Sequence, residues 1–154
     1  FPLTAGKLNG EHIEIADSVN VGFAVNAPHG LVVPVVKSAD TKTLVEIALA
    51  EKELIEKARD NKLTLQDMED ESIALSNLGA YDVDSFIGIV PPPASTILAV
   101  GYVIPSVVLH NGTPAVRKMV SLSLAVDHRI INGDYAARFL KYIKDLLENP
   151  QRIL

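Results

Sequence analysis

The sequence contains no cysteine. That excludes disulfides, thiolate metal ligands and a cysteine nucleophile, but says little about compartment. Aromatic residues are only 5% of the chain, against 48% hydrophobic residues overall. The core is therefore expected to be aliphatic, built from Val, Ile, Leu and Ala. There is no basic run, and the net charge is -5, which argues against a nucleic-acid footprint. The longest apolar run, Ile97 to Leu109, is interrupted by Gly101, Pro105 and Ser106 and is too short to span a bilayer. No phosphate-binding glycine loop and no G-x-S-x-G elbow is present. The histidines have no metal-site spacing and no carboxylate pair beside them, so no metal is expected. His12, His29 and His110 read as structural or exposed. The chain opens on Phe1-Pro2-Leu3, with no initiator methionine and none of the regions of a signal peptide. It is expected to be a fragment.

The 154 residues suffice for one compact domain, 1–154. A positive mean hydropathy beside a soluble charge pattern points to apolar surface buried against other subunits. Lys7 to Gly10 reads as a turn, His12 to Ala16 and Val19 to Ala27 as strands, and Leu31 to Val36 as a buried strand. Pro34 marks that last strand as an edge or a bulge. Asp40-Thr41 resembles an N-cap for a helix reaching Arg59, with Leu44, Ile47, Ala48, Leu54, Ile55 and Ala58 as its apolar stripe. Its charged face, Glu51 included, reads as solvated. Thr64 to Asp67 has capping-box spacing and predicts a short helical turn. Ser72 to Ser76 reads as a strand, Tyr81 to Phe86 as a loop, and Pro91 to Pro93 as extended backbone. Thr96 to Val108 and Ala115 to Val126 predict long strands joined at Asn111-Gly112, a strong hairpin signal. An amphipathic helix over Asp134 to Glu148 ends the chain. Strands with two substantial helices, not strictly alternating, predict an α+β fold: a two-layer sandwich of mixed β-sheet with packed helices.

The stretch that carries chemistry is Asp127-His128-Arg129-Ile130-Ile131-Asn132-Gly133. A histidine stands where an alternating apolar run, Met119 to Val126, breaks into a turn. A rigid strand end can hold a general base still. The bland alternative is a satisfied core histidine between two ordinary charges.

The stretch resembles the D-H-R-x-x-D-G signature of the dihydrolipoamide acyltransferases of the 2-oxo acid dehydrogenase complexes. A looser form, H-x-x-x-D-G, occurs in chloramphenicol acetyltransferase, which shares the fold. Ser72-Ile73-Ala74-Leu75-Ser76-Asn77-Leu78-Gly79 is similar to the family's T-F-T-I-S-N-L-G. Gly30-Leu31-Val32-Val33-Pro34-Val35-Val36 is similar to its G-L-V-V-P-V. The blocks come in the family's order and span nearly the whole chain.

The resemblance implies the following. The chain is the acyltransferase catalytic domain, without an opening helix and strand and without the lipoyl and peripheral-subunit-binding domains. Its activity is acyl transfer, acetyl in first place, from a lipoyl thioester to coenzyme A. His128 is the base on the attacking thiol. A thiol with a pKa of about 8.5 is only a few per cent ionised at neutral pH, and an imidazole can take its proton as the sulfur attacks. Ser76 stabilises the tetrahedral oxyanion, and Asn132 orients the site. Asp127, Arg129 and Gly133 support it, the two charged residues through charge-assisted hydrogen bonds at a strand end. For Ser76 the competing role is a strand-end serine capping a turn. For Asn132-Gly133 it is a plain turn pair. Homotrimers are implied, with histidine and serine on different subunits, assembling into a larger core. The decarboxylase and dihydrolipoamide dehydrogenase components would be partners, in the cytoplasm or the mitochondrial matrix.

There are departures. Asn132 stands where most members carry Asp, and keeps the hydrogen bond while losing the charge. Asp70-Glu71 replaces Gly-Gly, Ala74 replaces Thr, and Pro91 replaces Asn. These keep two other readings open: a non-catalytic scaffold subunit, and a stand-alone acetyltransferase of the chloramphenicol type.

Overall fold

The computed structural model describes residues 1–153. A five-stranded mixed sheet organises them, in the order β6 (Val35–Val36), β3 (Val21–Phe23), β7 (Ile73–Asn77), β8 (Thr96–His110), β9 (Thr113–Val126). β3, β7 and β8 are parallel neighbours, while β6 and β9 are antiparallel at the two edges. β1 (Gly6–Asn9) with β2 (His12–Ile15), and β4 (Val25–Ala27) with β5 (Gly30–Val32), form separate two-stranded ribbons. Helix α1 (Leu44–Arg59) packs at the β4 and β6 end, and α2 (Gly133–Glu148) lies along β9. This is the α+β sandwich expected from the sequence.

The long hairpin follows its turn signal. Asn111 and Gly112 both have positive φ, 51° and 79°, the conformation a type I′ turn demands. Gly101 sits at a register break between Val100 and Val103. The loop after β7 crosses there: Tyr102 N–H donates to Val83 O at 2.8 Å. A Cβ on Gly101 would lie 1.9 Å from Asp84 O, so only glycine admits the loop.

Several boundaries differ from the sequence reading. Lys7 to Asn9 belongs to β1, not to a turn; the turn is one step later, at Gly10, where φ is +59°. Val19 to Ala27 is two strands: Val21–Phe23 pairs with β6 and β7, and beyond Ala24 the chain leaves that sheet to pair with β5. Leu31 to Val36 is likewise split at Val33-Pro34, since proline has no N–H for a ladder. The cap of α1 is Thr43, in a reciprocal box: Glu46 N–H donates to Thr43 Oγ1 at 3.3 Å, and Thr43 N–H to Glu46 Oε2 at 2.7 Å. Asp40 is used elsewhere, accepting from Val19 N–H. Thr64 and Asp67 form the expected capping box, followed by the expected short turn, with Met68 N–H donating to Leu65 O at 3.0 Å.

The stripe of α1 is buried only over its second half. Leu54, with Phe23 and Val36, makes a core cluster joined by Ile55 and Leu75. Leu44 and Ala48 are exposed. Strands of two and three residues span too little length to cover sixteen helical residues. More widely, the chain exposes 10127 Å², against about 7,600 Å² for an ordinary monomer of this mass. The excess includes Val103, Val107, Leu109 and Val116 along the outer half of the hairpin.

Ile131 is wholly buried. Ile131→Ala is expected to cost about 2–5 kcal/mol of stability, from lost burial plus a cavity. Denaturant unfolding monitored by far-ultraviolet circular dichroism checks this, and a change under about 1 kcal/mol would contradict the anchor role assigned below.

Candidate active site

The backbone around His128 is pinned on both sides. β9 ends as Asp127 N–H donates to Ser95 O at 2.8 Å, and Asp127 O accepts from the N–H groups of Ile130 and Ile131. Ile130 and Ile131 are buried immediately after it. The chain therefore turns tightly between two fixed points, and the residue carried on the turn is His128. Its side chain is exposed and makes no hydrogen bond among the described residues. The strand before it is half-buried over its last six residues, and a satisfied core histidine is not what the fold contains.

Asp127 and Arg129 form a closed local pair. Asp127 accepts from Arg129 N–H at 3.0 Å, from Nε at 3.0 Å and from Nη2 at 2.6 Å. Arg129 is nonetheless 71% exposed, against 20% for Asp127, so the arginine is solvated on its outer side. The guanidinium holds the Asp127 carboxyl down at about 2, since hydrogen bonds to the charged form favour it. A carboxylate with a lowered folded pKa contributes stability that is fully present above its ordinary value near 4. That contribution is lost as pH falls through about 2. Asp127→Asn is expected to remove this part of the acid dependence, read as a flatter Tm against pH between about 4 and 2.

Asn132 caps α2. Its Oδ1 accepts from Tyr135 N–H at 2.9 Å, as an N-cap asparagine does. No hydrogen bond joins it to His128 among the described residues. Gly133 is the first helical residue, not part of a sharp turn, and a Cβ there would meet nothing within 4 Å.

Ser76 lies near the C-terminal end of β7, half-buried. The turn-capping role is filled by its neighbour: Asn77 Oδ1 accepts from Gly79 N–H at 2.9 Å. The Ser76 hydroxyl makes no hydrogen bond among the described residues. It opens on two cavities, about 550 Å³ against α1 and about 280 Å³ under the Phe86 to Pro91 segment.

Within one chain Ser76 and His128 are far apart. Ser76 pairs with Ala99, and Ala99 with Ser123; Val126 pairs with Thr96. β7 and β9 run in opposite directions, so their C-terminal ends lie at opposite ends of the sheet's strands. Two interstrand steps and about five residues along the strand put the two backbones about 15–20 Å apart. One chain thus presents a free imidazole and a free hydroxyl that cannot act on the same atom.

The model of the 2-oxoacid dehydrogenases acyltransferase catalytic domain matches residues 1–154. The chain belongs to that family. The dihydrolipoyllysine-residue acetyltransferase component of the pyruvate dehydrogenase complex of Mycoplasma capricolum is 39% identical over 94% of the chain, which covers 33% of that relative. The chain spans about a third of the length of the curated relatives it matches. The cubic core of a pyruvate dehydrogenase multienzyme complex superimposes with a TM-score of 0.94 at 38% identity, over 99% of this chain and 63% of that one. The dihydrolipoamide acetyltransferase of Azotobacter vinelandii superimposes with a TM-score of 0.91 at 36% identity, over 99% and 63%. A serine, a histidine and an asparagine were investigated in that enzyme's catalytic mechanism. They have the same spacing there as Ser76, His128 and Asn132 here, 52 and then 4 positions. Chloramphenicol acetyltransferase, at a TM-score of 0.59 and 16% identity, shares the fold.

This family domain uses some residues that its sequence did not announce. Ile130 and Ile131 read only as motif spacers, yet they anchor the histidine turn. Asn26, in a turn cluster, and Glu51, on a face expected to be solvated, both line the larger cavity beside Ser76. Their alignment depends on which segments the fold brings together, and no local pattern signals it. Among the described residues, no three His, Cys, Asp or Glu side chains could share a metal ion. No described helix is long and apolar enough to cross a membrane.

Proposed function

We propose that this domain transfers an acyl group, acetyl in first place, between a dihydrolipoyl thioester and coenzyme A. The observation that carries the reading is the free Ser76 and His128 pair with Asn132, at the spacing of the serine, histidine and asparagine of the Azotobacter enzyme. In the forward step the coenzyme A sulfur attacks the thioester carbonyl carbon as the His128 imidazole takes the thiol proton. A new C–S bond forms, and the carbonyl oxygen becomes an oxyanion that accepts from the Ser76 hydroxyl. Collapse breaks the C–S bond to the dihydrolipoyl sulfur, which takes the proton back from the imidazolium. No acyl-enzyme and no metal is required. Asp127, Arg129 and the α2 cap at Asn132 hold the histidine turn in place.

The separation of Ser76 from His128 favours a site completed between subunits, His128 of one facing Ser76 of the next. A trimer gives each subunit one such site in a closed ring. The excess accessible surface, about 2,500 Å² over an ordinary monomer, is in the range that obligate interfaces cover. Trimers would assemble further into a multienzyme core, served by a lipoyl domain and by decarboxylase and dihydrolipoamide dehydrogenase components. The test is acyl transfer from acetyl-CoA to dihydrolipoamide by the full-length assembled protein. Turnover is expected; its absence with acetyl-, succinyl- and branched acyl-CoA alike would overturn the reading.

A further inference from the structure

Glu71 is a carboxyl side chain that the acyl-transfer chemistry does not use, and it is buried just before β7, only 8% exposed. Asp70-Glu71 replaces the family's Gly-Gly, so the acid is an addition of this chain. We infer that Glu71 is a proton-operated clasp: as the neutral acid it stays seated against Gly22 of β3, and as the carboxylate it leaves that seat and loosens the start of β7. The clasp sits at the opposite end of the strand from Ser76 and does not depend on the acyl-transfer reading.

The seat is built into the fold. A Cβ on Gly22 would collide with Glu71 Oε2 and lie 3.1 Å from Val33 Cγ1, so the glycine leaves the room that the carboxyl fills. The carboxyl has no partner there. Oε2 is sealed from solvent and makes no hydrogen bond among the described residues. A buried acid in that state is tolerated when neutral and costly when charged. Burial accordingly pushes the Glu71 carboxyl above its ordinary value of 4.5, and the charge of Lys7 on β1 draws it partly back. The surrounding charges supply no fixed counter-ion. β3 and Val33 bring none. Lys7 forms no ion pair with Glu71 among the described residues, and its cross-strand neighbour is Glu14. Lys37 lies 3.8 Å from Asp70 and donates to Glu69 O. Meanwhile the backbone on both sides of Glu71 is tied to one residue. Asp70, at φ +62°, accepts at its carbonyl from Asn20 Nδ2 at 2.8 Å. Ser72 and Ile73 N–H groups donate to Asn20 O at 2.8 and 3.2 Å. An outward swing of the charged side chain would strain these bonds first.

The direction of the response follows from linkage. Below pH 4.5 the acid is neutral in the folded and the unfolded chain alike. Above it the unfolded chain gives up its proton first, so the stability that the neutral acid holds is lost as pH rises through the folded value. Glu71→Gln keeps the shape and removes the proton equilibrium, and the test compares it with wild type in the full-length assembled protein. The infrared difference spectrum, wild type minus variant, is expected to show a carboxylic-acid band that titrates above pH 4.5. Exchange of the Ser72 and Ile73 amides, corrected for their intrinsic rates, is expected to speed up with pH in wild type relative to the variant. The relative change is about three- to tenfold per pH unit over the range in which the band disappears. Lys7→Met removes the cation that favours the carboxylate, moves both responses to higher pH, and carries the test if Glu71→Gln does not fold. A band that titrates at or below pH 4.5 would overturn the clasp. So would amide exchange with the same pH dependence in wild type and Glu71→Gln, or responses that Lys7→Met leaves unmoved.

Discussion

His128→Ala is expected to lower kcat at least about a hundredfold in the full-length protein while leaving the unfolding midpoint where it was. General-base catalysis typically contributes about 10²–10⁴ in rate. The stability half of the expectation comes from the fold. The imidazole is exposed and unbonded, so its removal leaves no cavity and no orphaned buried partner. The turn beneath it is held by Asp127, Ile130 and Ile131, none of which needs the ring. A large drop in kcat with an unchanged melting curve would therefore assign the loss to chemistry. Equal turnover in mutant and wild type would remove His128 as the base, whatever the family resemblance.

Ser76→Ala is expected to lower kcat by about 10²–10³, the usual effect of removing one oxyanion donor, again with little effect on stability. The capping work at that strand end belongs to Asn77, so the hydroxyl is structurally spare. The more decisive experiment mixes the two variants. If histidine and serine meet across a subunit interface, co-assembled His128→Ala and Ser76→Ala subunits rebuild intact sites wherever the right neighbours fall together. In a random equal mixture that is about a quarter of the interfaces of a cyclic assembly. Activity of that order, emerging only after the subunits are unfolded and reassembled together, is the expected result. A mixture that stays as inactive as either parent would place both groups within one subunit, and would contradict the 15–20 Å separation estimated from strand spacing.

Much of this was legible because it depends on local chemistry. The Asn111-Gly112 pair demands its hairpin, the 3.6-residue periodicity of α2 is read correctly to within a residue, and the sequence around His128 and Ser76 is specific enough to suggest its family. Errors fell where a neighbour decides the outcome. The Val19 to Ala27 stretch breaks because its second half pairs with β5 outside the main sheet. The first half of the α1 stripe is exposed because the strands beside it are too short to cover it. Arg129 was legible as a partner at the strand end, but not which way it faces: Asp127 lies on the inner side and leaves the guanidinium outward.

By itself the sequence determined the α+β class, the aliphatic core, the absence of a cysteine thiol and the identity of the catalytic candidates. Each of these is written in residue type and short spacing. Only the tertiary structure decided that β7 and β9 run in opposite directions, which sets Ser76 and His128 at opposite ends of the strands of one sheet. It also decided that Asn26, Glu51 and Asn77 line one cavity. Strand direction and cavity lining are properties of pairs of segments distant in sequence. Their contacts are fixed by packing and hydrogen-bond register, which no single stretch of the chain encodes.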